Sequence, residues 1–455
     1  MLNVTVLLKF YKGEISLFDS AAIECALRTP NAVVTLVAMA PLSCSEPLKQ
    51  LTRLGCNRAI LISDPKYAGS DTLATSKVLA KALEKLKPDL VLCGRQSMDG
   101  DTAQVPSQVA TLLGYSIITN ALEFNLDSVE TRLGKRKVTL PSVISVEKIM
   151  DLRFPSFRSK PIDIEVWDNE ILNLSDDDCG VLGSYTKVLK VYEKQSSERK
   201  CKFVSIKDLP KIIRDSTLIK NTGLDIKESI TKLSKILIVG EGLTEEANAI
   251  ANEIVRIDDG DALTIANEIK RLSIKHVLFK ASLKNRSLAP QVSAILNCGL
   301  AADCIGLETD GENLFVYRPA NSDKVVAKIG YLSDVQMATI RSVDTGSADV
   351  IFSIGYGAKD YVDKITRFAN KYGAAITSSR KVVDCGFCDY EKQVGLTGKI
   401  VCPKVYVAFG ICGAIQHVVG MENSTTIIAI NKDKDAKIFD YADYGVTEDI
   451  KDVEL

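Results

Sequence analysis

Short, almost unbroken apolar runs recur along this chain, and stretches of helical periodicity separate them. Residues 32–39 show the pattern: Val33, Val34, Leu36 and Val37 leave no polar face. A strand that is apolar on both sides belongs in a parallel sheet covered on both faces. Strand candidates at 4–8, 32–39, 59–63 and 89–93 alternate with helix candidates at 20–27, 46–54 and 74–86. In the last of these, Leu79, Leu83 and Leu86 recur at helical spacing. This alternation predicts a doubly wound α/β domain. Residues 117–124, 128–133 and 138–146 then read as strands without long helices between them, with Gly134-Lys-Arg as a turn and the whole as an antiparallel extension. The polar stretch 175–202, containing Asp176-Asp-Asp and Glu193-Lys-Gln-Ser-Ser-Glu-Arg-Lys, reads as a connector or solvated surface. A second α/β unit spans about 230–335, with strands 236–239 and 277–280 and helices 244–255 and 262–272. A third starts at strand 349–354 and continues through helix 361–372, strands 374–376 and 404–408, helix 414–419 and strand 425–430.

At roughly 100–200 residues per domain, 455 residues predict about three domains. Lys and Arg number 57 against 58 Asp and Glu, and this balance argues against a dedicated nucleic-acid binder. No apolar run approaches the roughly 20 residues that span a bilayer. The run 2–8 is too short for a signal peptide and reads as a first strand. Only two histidines occur, His276 and His417, neither at zinc spacing from a cysteine pair. That excludes a histidine-rich metal site and leaves few ways to build a Ser–His–Asp hydrolase. The 12 cysteines form no dense framework, and Cys25, Cys93 and Cys298 lie in apolar runs where a thiol packs as a small hydrophobe. Reduced thiols in a cytoplasmic protein are expected.

Five segments follow or separate these strands, and ligands of open α/β sheets bind outside the C-terminal strand ends. The first, Cys93-Gly-Arg-Gln-Ser-Met-Asp-Gly-Asp-Thr-Ala-Gln, offers Asp101-Thr102 as the cap of a helix reaching Leu113. Arg95, Gln96, Asp99, Asp101 and Gln104 exceed what a cap needs, which favours a nucleotide site over simple capping. The second, Gly355-Tyr-Gly357-Ala-Lys359, is G-x-G without a third glycine and fits a plain strand-to-helix turn equally well. The third, Thr377-Ser-Ser379-Arg380, is either a polar loop or a phosphate or ring contact with a fixed cation. The fourth, Gln393-Val-Gly395-Leu-Thr397-Gly398-Lys399, is either a hairpin-type turn or a place of close backbone approach to a ligand. The fifth, Gly410-Ile-Cys412-Gly413-Ala-Ile-Gln416-His417, sets a scarce histidine on the first turn of a helix beside a glycine turn. Cys385-Gly-Phe-Cys388 lacks both the helix-start context of a redox pair and the second pair of a zinc ribbon.

With these segments in hand, the chain resembles an electron transfer flavoprotein with its beta and alpha subunits fused. Residues 1–210 resemble the beta subunit, through Asp71-Thr-Leu-Ala-Thr and Asp89-Leu-Val-Leu-Cys-Gly-Arg-Gln-Ser-Met-Asp-Gly-Asp-Thr-Ala-Gln-Val. Residues from about 230 resemble the alpha subunit, through Leu288-Ala-Pro, Gly299-Leu-Ala-Ala-Asp-Cys, Gln336-Met-Ala-Thr-Ile-Arg, Ser379-Arg380, Asn431-Lys-Asp and Ala442-Asp-Tyr-Gly. The resemblance implies doubly wound nucleotide-binding domains of the adenine nucleotide alpha hydrolase-like kind and a C-terminal Rossmann-like FAD-binding domain. The boundaries it implies are 1–210 (beta-like, with a C-terminal arm), 211–335 (a shortened alpha N-terminal domain) and 336–455 (FAD-binding), joined near the polar stretch 192–200.

By the same resemblance, Ser379, Arg380, Gln393, Val394, Gly395, Leu396, Thr397, Cys412, Gly413, Ala414, Ile415, Gln416, His417, Asn431, Asp449 and Ile450 would contact FAD. Arg380 would lie against the isoalloxazine ring and favour negative charge on the reduced flavin, and Thr397 would bond the ring edge. A second nucleotide, AMP or FAD, would meet Ser16, Leu17, Phe18, Asp19, Met39, Asp71, Thr72, Thr75, Asp99, Gly100, Asp101, Thr102, Ala103, Gln104 and Val105. Three departures stand out. Ile354 and Tyr356 occupy the places of the first Gly and the Arg of a Gly-Gly-Arg-Gly turn, Leu396 replaces a Gln, and the alpha N-terminal domain is short. The implied function is an electron carrier between a flavin dehydrogenase of the acyl-CoA dehydrogenase type, met through the 150–160 loop, and a downstream acceptor, as in fatty acid beta-oxidation. The alternatives are an electron-bifurcating flavoprotein that oxidises NADH with two FADs, and a non-redox adenine-nucleotide module.

Overall fold

The strand Leu2–Leu8 lies mid-sheet, and its side chains show why its run is apolar throughout. Val4, Val6 and Leu8 pack into one buried cluster with Leu36, Leu90 and Ile144. Leu7 packs into another with Val37, Ile60, Val91 and Val143. Successive residues face opposite sides of a pleated strand, so a sheet covered twice needs apolar residues at every position. The structure is a computed structural model, which describes every residue except 98, 148, 194–198, 218–230, 321–324, 342–347, 396, 397, 400 and 453–455. It divides into two compact units, Met1–Tyr192 with Lys227–Ile340 and Glu193–Ile226 with Arg341–Leu455.

The first unit holds two α/β modules. In the first, the sheet order is Glu165–Trp167, Arg58–Ile62, Ala32–Met39, Leu2–Leu8, Leu90–Gly94, Ser142–Val146, Ser116–Phe124, Ser128–Thr131, Gly134–Lys137. The second module is fully parallel, in the order Ala251–Ile257, Leu233–Val239, His276–Lys280, Gln336–Ile340, Gly299–Cys304. The modules repeat one another in detail. The helices Val105–Leu113 and Asn285–Leu296 both end at a left-handed residue, Gly114 and Asn297. Each following strand then carries another left-handed residue, Asn120 or Asp303. The backbone N–H of Asn120 donates to Ser145 Oγ at 3.1 Å, and that of Asp303 to Thr339 Oγ1 at 2.7 Å. Among the described residues the second module has no counterpart of the strand Arg58–Ile62, so it is the shorter of the two.

Several local expectations are corrected. The helix expected over 244–255 stops at Ile250, and Ala251–Ile257 is an edge strand. The stretch 138–146 contributes only Ser142–Val146, which runs parallel between Leu90–Gly94 and Ser116–Phe124. Only Ser128–Thr131 and Gly134–Lys137 extend the sheet antiparallel, and Gly134-Lys-Arg is strand rather than turn. The supposed connector 175–202 contains the strand Thr186–Glu193, at the edge of a four-stranded sheet with Val325–Tyr331, Leu314–Ala320 and Gly306–Thr309. Its apolar residues Val188, Leu189, Val191 and Tyr192 are exposed at that edge, and the polar runs on either side mask them in the sequence.

The second unit is a parallel sheet in the order Lys202–Phe203, Tyr444–Val446, Thr426–Ile430, Val405–Phe409, Val350–Ile354, Ala375–Ser378. Numbered from Val350–Ile354 along the chain, the five longer strands run 2-1-3-4-5. The order reverses between Val350–Ile354 and Val405–Phe409, which opens a ligand crevice at their carboxyl ends. Among the described residues no helix is long and apolar enough to cross a membrane.

Candidate functional site

Two crevices emerge, one in each unit. In the second unit, the turns after Val350–Ile354 and Val405–Phe409 are locked backbone to backbone. Gly355 N–H donates to Phe409 O at 2.7 Å, and Gly357 N–H to Gly410 O at 3.1 Å. A Cβ on Gly355 would lie 2.2 Å from Gly410 O, so no other residue fits there. Gly413 has φ +85, and a Cβ on it would meet the Ile438 nitrogen at 2.1 Å. Gly395, at φ +132, leans on the Gln416 carbonyl in the same way.

The expected FAD contacts gather on this crest. Ser379 follows Ala375–Ser378 and donates its N–H to Ile354 O at 2.9 Å. Arg380 opens the short helix Arg380–Asp384 and pairs with Asp384 at 3.3 Å. Gln393 is buried and bridges to Ser378, and Val394 N–H donates to Ser378 O. Cys412, Ala414, Ile415 and Gln416 are exposed beside Gly413. Asn431, next to the end of Thr426–Ile430, donates through Nδ2 to Ile411 O at 2.9 Å. Asp449 accepts from Lys451 N–H beside the buried Ile450. Leu396 and Thr397 lie outside the described residues.

Behind the crest sits a buried polar cluster that the sequence did not announce. His417 Nε2 lies 2.9 Å from the hydroxyl of Tyr406, which is fully buried. The buried hydroxyls of Ser353 and Thr377 face that tyrosine without completing a hydrogen bond. His417 Nδ1 is buried towards the Val394 carbonyl, also without a completed bond. Burial pushes the His417 pKa down to about 4, so the ring is neutral at neutral pH. Orphaned buried polar atoms beside a glycine-lined crest are what a polar ligand would satisfy.

In the first unit a cavity of ≈ 870 Å³ opens where the strand order reverses, between Leu2–Leu8 and Leu90–Gly94. Of the residues expected to hold a second nucleotide, Asp19, Met39, Asp71, Thr72, Thr75, Gly100 and Thr102 through Val105 line it. Ser16, Leu17, Phe18, Asp99 and Asp101 do not line it. Ser16 instead caps the helix Leu17–Arg28, and Asp99 pairs with Lys9 at 2.9 Å. The helix expected to start at Asp101-Thr102 begins at Val105, and Asp101 accepts from Gln96.

Both oxygens of Asp71 are used by the protein. Oδ1 caps the helix Thr72–Leu86, and Oδ2 accepts from Tyr185 N–H, Thr186 N–H and Thr186 Oγ1. Asp19 accepts from Gly94 N–H at 3.2 Å, and burial pushes its pKa up to about 6. The cavity also has walls that sequence reasoning missed. Arg318 donates to Gly100 O at 2.8 Å, and Gln104 donates to Leu300 O at 3.1 Å, which joins the two modules across it. No local motif surrounds Arg318, and its reach to Gly100 spans more than two hundred residues, so the sequence carries no signal for it.

Comparison with known proteins decides the family. Residues 4–150 and 228–348 match the electron transfer flavoprotein domain, and residues 344–422 match the electron transfer flavoprotein FAD-binding domain. The chain belongs to the electron transfer flavoprotein family. Electron transfer flavoprotein subunit alpha of Thermoanaerobacterium thermosaccharolyticum is 34% identical over 238 aligned residues, covering 42% of this chain and 72% of that one. Protein FixB of Clostridium saccharobutylicum is 33% identical over 283, covering 49% and 84%. The mitochondrial alpha subunit of Arabidopsis thaliana is 43% identical over 133, covering 29% and 36%. The FAD-binding match, residues 344–422, therefore takes in the crest from Gly355 to His417, and its glycine turns, cation and orphaned polar atoms fit that cofactor.

Proposed function

We propose that this chain is a one-polypeptide electron carrier, with a beta-like portion (1–210) ahead of an alpha-like portion (211–335 and 336–455). The observation that carries it is the coincidence of the 2-1-3-4-5 crest with the FAD-binding match. Support for the fusion comes from the two stretches matched by the electron transfer flavoprotein domain and from the two repeated modules. The relatives named alpha subunits cover about half of this chain or less.

Bound FAD supplies the ability to take up an electron pair and release single electrons. The chain's own residues would hold and tune it. Ser379, Gln416 and Asn431 offer hydrogen bonds, with Asp449 and Thr397 assigned by resemblance. Arg380, paired with Asp384, would by resemblance set a cation beside the flavin ring, where negative charge develops on reduction. Neutral, buried His417 would brace the crest from behind through Tyr406, without a charge of its own.

The electron donor would be a flavin dehydrogenase of the acyl-CoA dehydrogenase type, with a separate downstream acceptor, in the cytoplasm. The 150–160 segment supports docking there: Phe154 and Phe157 are wholly exposed beside Arg158 and Lys160. The first-unit cavity would take AMP or a second FAD. A volume of ≈ 870 Å³, high in the usual range of about 300–1,000 Å³ for small-molecule sites, favours keeping the second reading, a bifurcating NADH oxidant. Extraction of bound nucleotides tests all of this. One FAD with AMP supports the carrier, and two FADs with bleaching by NADH support bifurcation. Colourless protein that cannot be reconstituted with FAD refutes both.

A further inference from the structure

The turn Gly355-Tyr356-Gly357 stands at the reversal point of the second sheet, where glycines let the backbone approach a dinucleotide's phosphates. It carries no cation at its centre. A lysine from a neighbouring element comes to it instead: Lys381 Nζ lies 4.1 Å from the centroid of the Tyr356 ring. Lys381 is the second residue of the helix Arg380–Asp384, and the Ser379–Ile354 hydrogen bond draws that helix start against the turn.

Charges around the turn are unevenly matched. Arg380 is paired with Asp384. Lys359, 5.7 Å from the same tyrosine ring, is paired with Asp360 at 2.7 Å. Lys381 is exposed, and the described contact of its side chain is the ring. An ammonium on an aromatic face is held by the ring's quadrupole and keeps its other hydrogens for an anion.

We propose that Lys381, seated on the Tyr356 ring, is the residue that receives the diphosphate charge of the dinucleotide cofactor in this chain. This rests on the FAD reading given above and names one contact within it. Tyr356 acts as a positioning residue whose ring face, not its hydroxyl, is required.

The test is FAD titration into the flavin-stripped full chain across a NaCl series, followed by flavin fluorescence, with riboflavin as a ligand lacking phosphate. Lys381→Ala should weaken FAD about tenfold, the scale of one charge-assisted contact, and flatten the salt dependence. Riboflavin binding should be unchanged, Lys381→Arg should retain affinity, and Tyr356→Phe should behave as wild type. Lys381→Ala with wild-type FAD affinity and salt dependence would overturn the proposal, as would equal losses for FAD and riboflavin. Lys381 is exposed, so the variant folds, and circular dichroism confirms it. Wild-type protein that takes up no FAD would refute the cofactor reading instead.

Discussion

Acidification should destabilise the second unit through His417. Its folded pKa is about 4 against an ordinary 6.5, because burial disfavours the imidazolium. The unfolded chain therefore binds a proton that the folded chain refuses. The stabilisation is fully present above 6.5 and is lost as pH falls from 6.5 through 4. The whole shift is worth about 3 kcal/mol, and the step from pH 7 to pH 5 costs about 2 kcal/mol. Asp19, in the first unit, works in the opposite sense: its pKa is raised to about 6, so protonation below that pH favours its folded unit. The difference between wild type and His417→Gln cancels that contribution. Gln keeps an amide to face Tyr406 but does not titrate. Denaturant unfolding at pH 7 and pH 5 should show a wild-type loss in the second unit about 2 kcal/mol larger than the variant's. Only two histidines occur, so carbon-labelled imidazole NMR gives two signals, and the variant identifies which is His417. His276 is also held below the ordinary value by burial. A His417 signal titrating at 6.5 or above, or equal acid losses in the two proteins, would refute the reasoning.

Gly413→Ala should destabilise the second unit by at least about 1 kcal/mol, from φ +85 alone and before the contact at Ile438, visible as a lowered unfolding midpoint and lost flavin. Arg380→Ala should lower the reduction potential of bound flavin, since a cation near the developing charge is removed; spectroelectrochemical titration reads it, and an unchanged potential means another group supplies the charge. Asp71→Ala removes a helix cap and the clamp on Tyr185 and Thr186, so a loss of about 2 kcal/mol or more is expected in chemical unfolding, with reduced retention of any nucleotide in the cavity. Arg95→Met should cost about 1–3 kcal/mol in the same assay, because it removes one side of the buried Arg95–Glu147 pair, whose charged atoms lie 3.1 Å apart.

The legible parts of the fold were those written in consecutive residues. Val33, Val34, Leu36 and Val37 announce a doubly covered strand because each face of the sheet needs its own apolar set. Gly410 and Gly413 mark a close turn because left-handed backbone in contact with other backbone excludes side chains. Residues 244–255 were misread because helical spacing continues past Ile250, where pairing with Leu233–Val239 overrides it. Asp71 stood out only as a family marker three residues ahead of the helix expected over 74–86; its grip on Tyr185 and Thr186 spans more than a hundred residues and leaves no local trace. The strand Thr186–Glu193 was hidden because the polar runs on either side of it, Asp176-Asp-Asp and Glu193-Lys-Gln-Ser-Ser-Glu-Arg-Lys, outweighed its own Val188, Leu189, Val191 and Tyr192.

The sequence by itself determined the α/β class, the glycine turns and the family markers, since each depends on neighbours along the chain. Tertiary structure alone decided the strand order and hence the reversal points where the crevices open. It alone paired Tyr406 with His417 and seated Lys381 on Tyr356. Those contacts depend on which distant strands become neighbours, and periodicity carries no record of that choice.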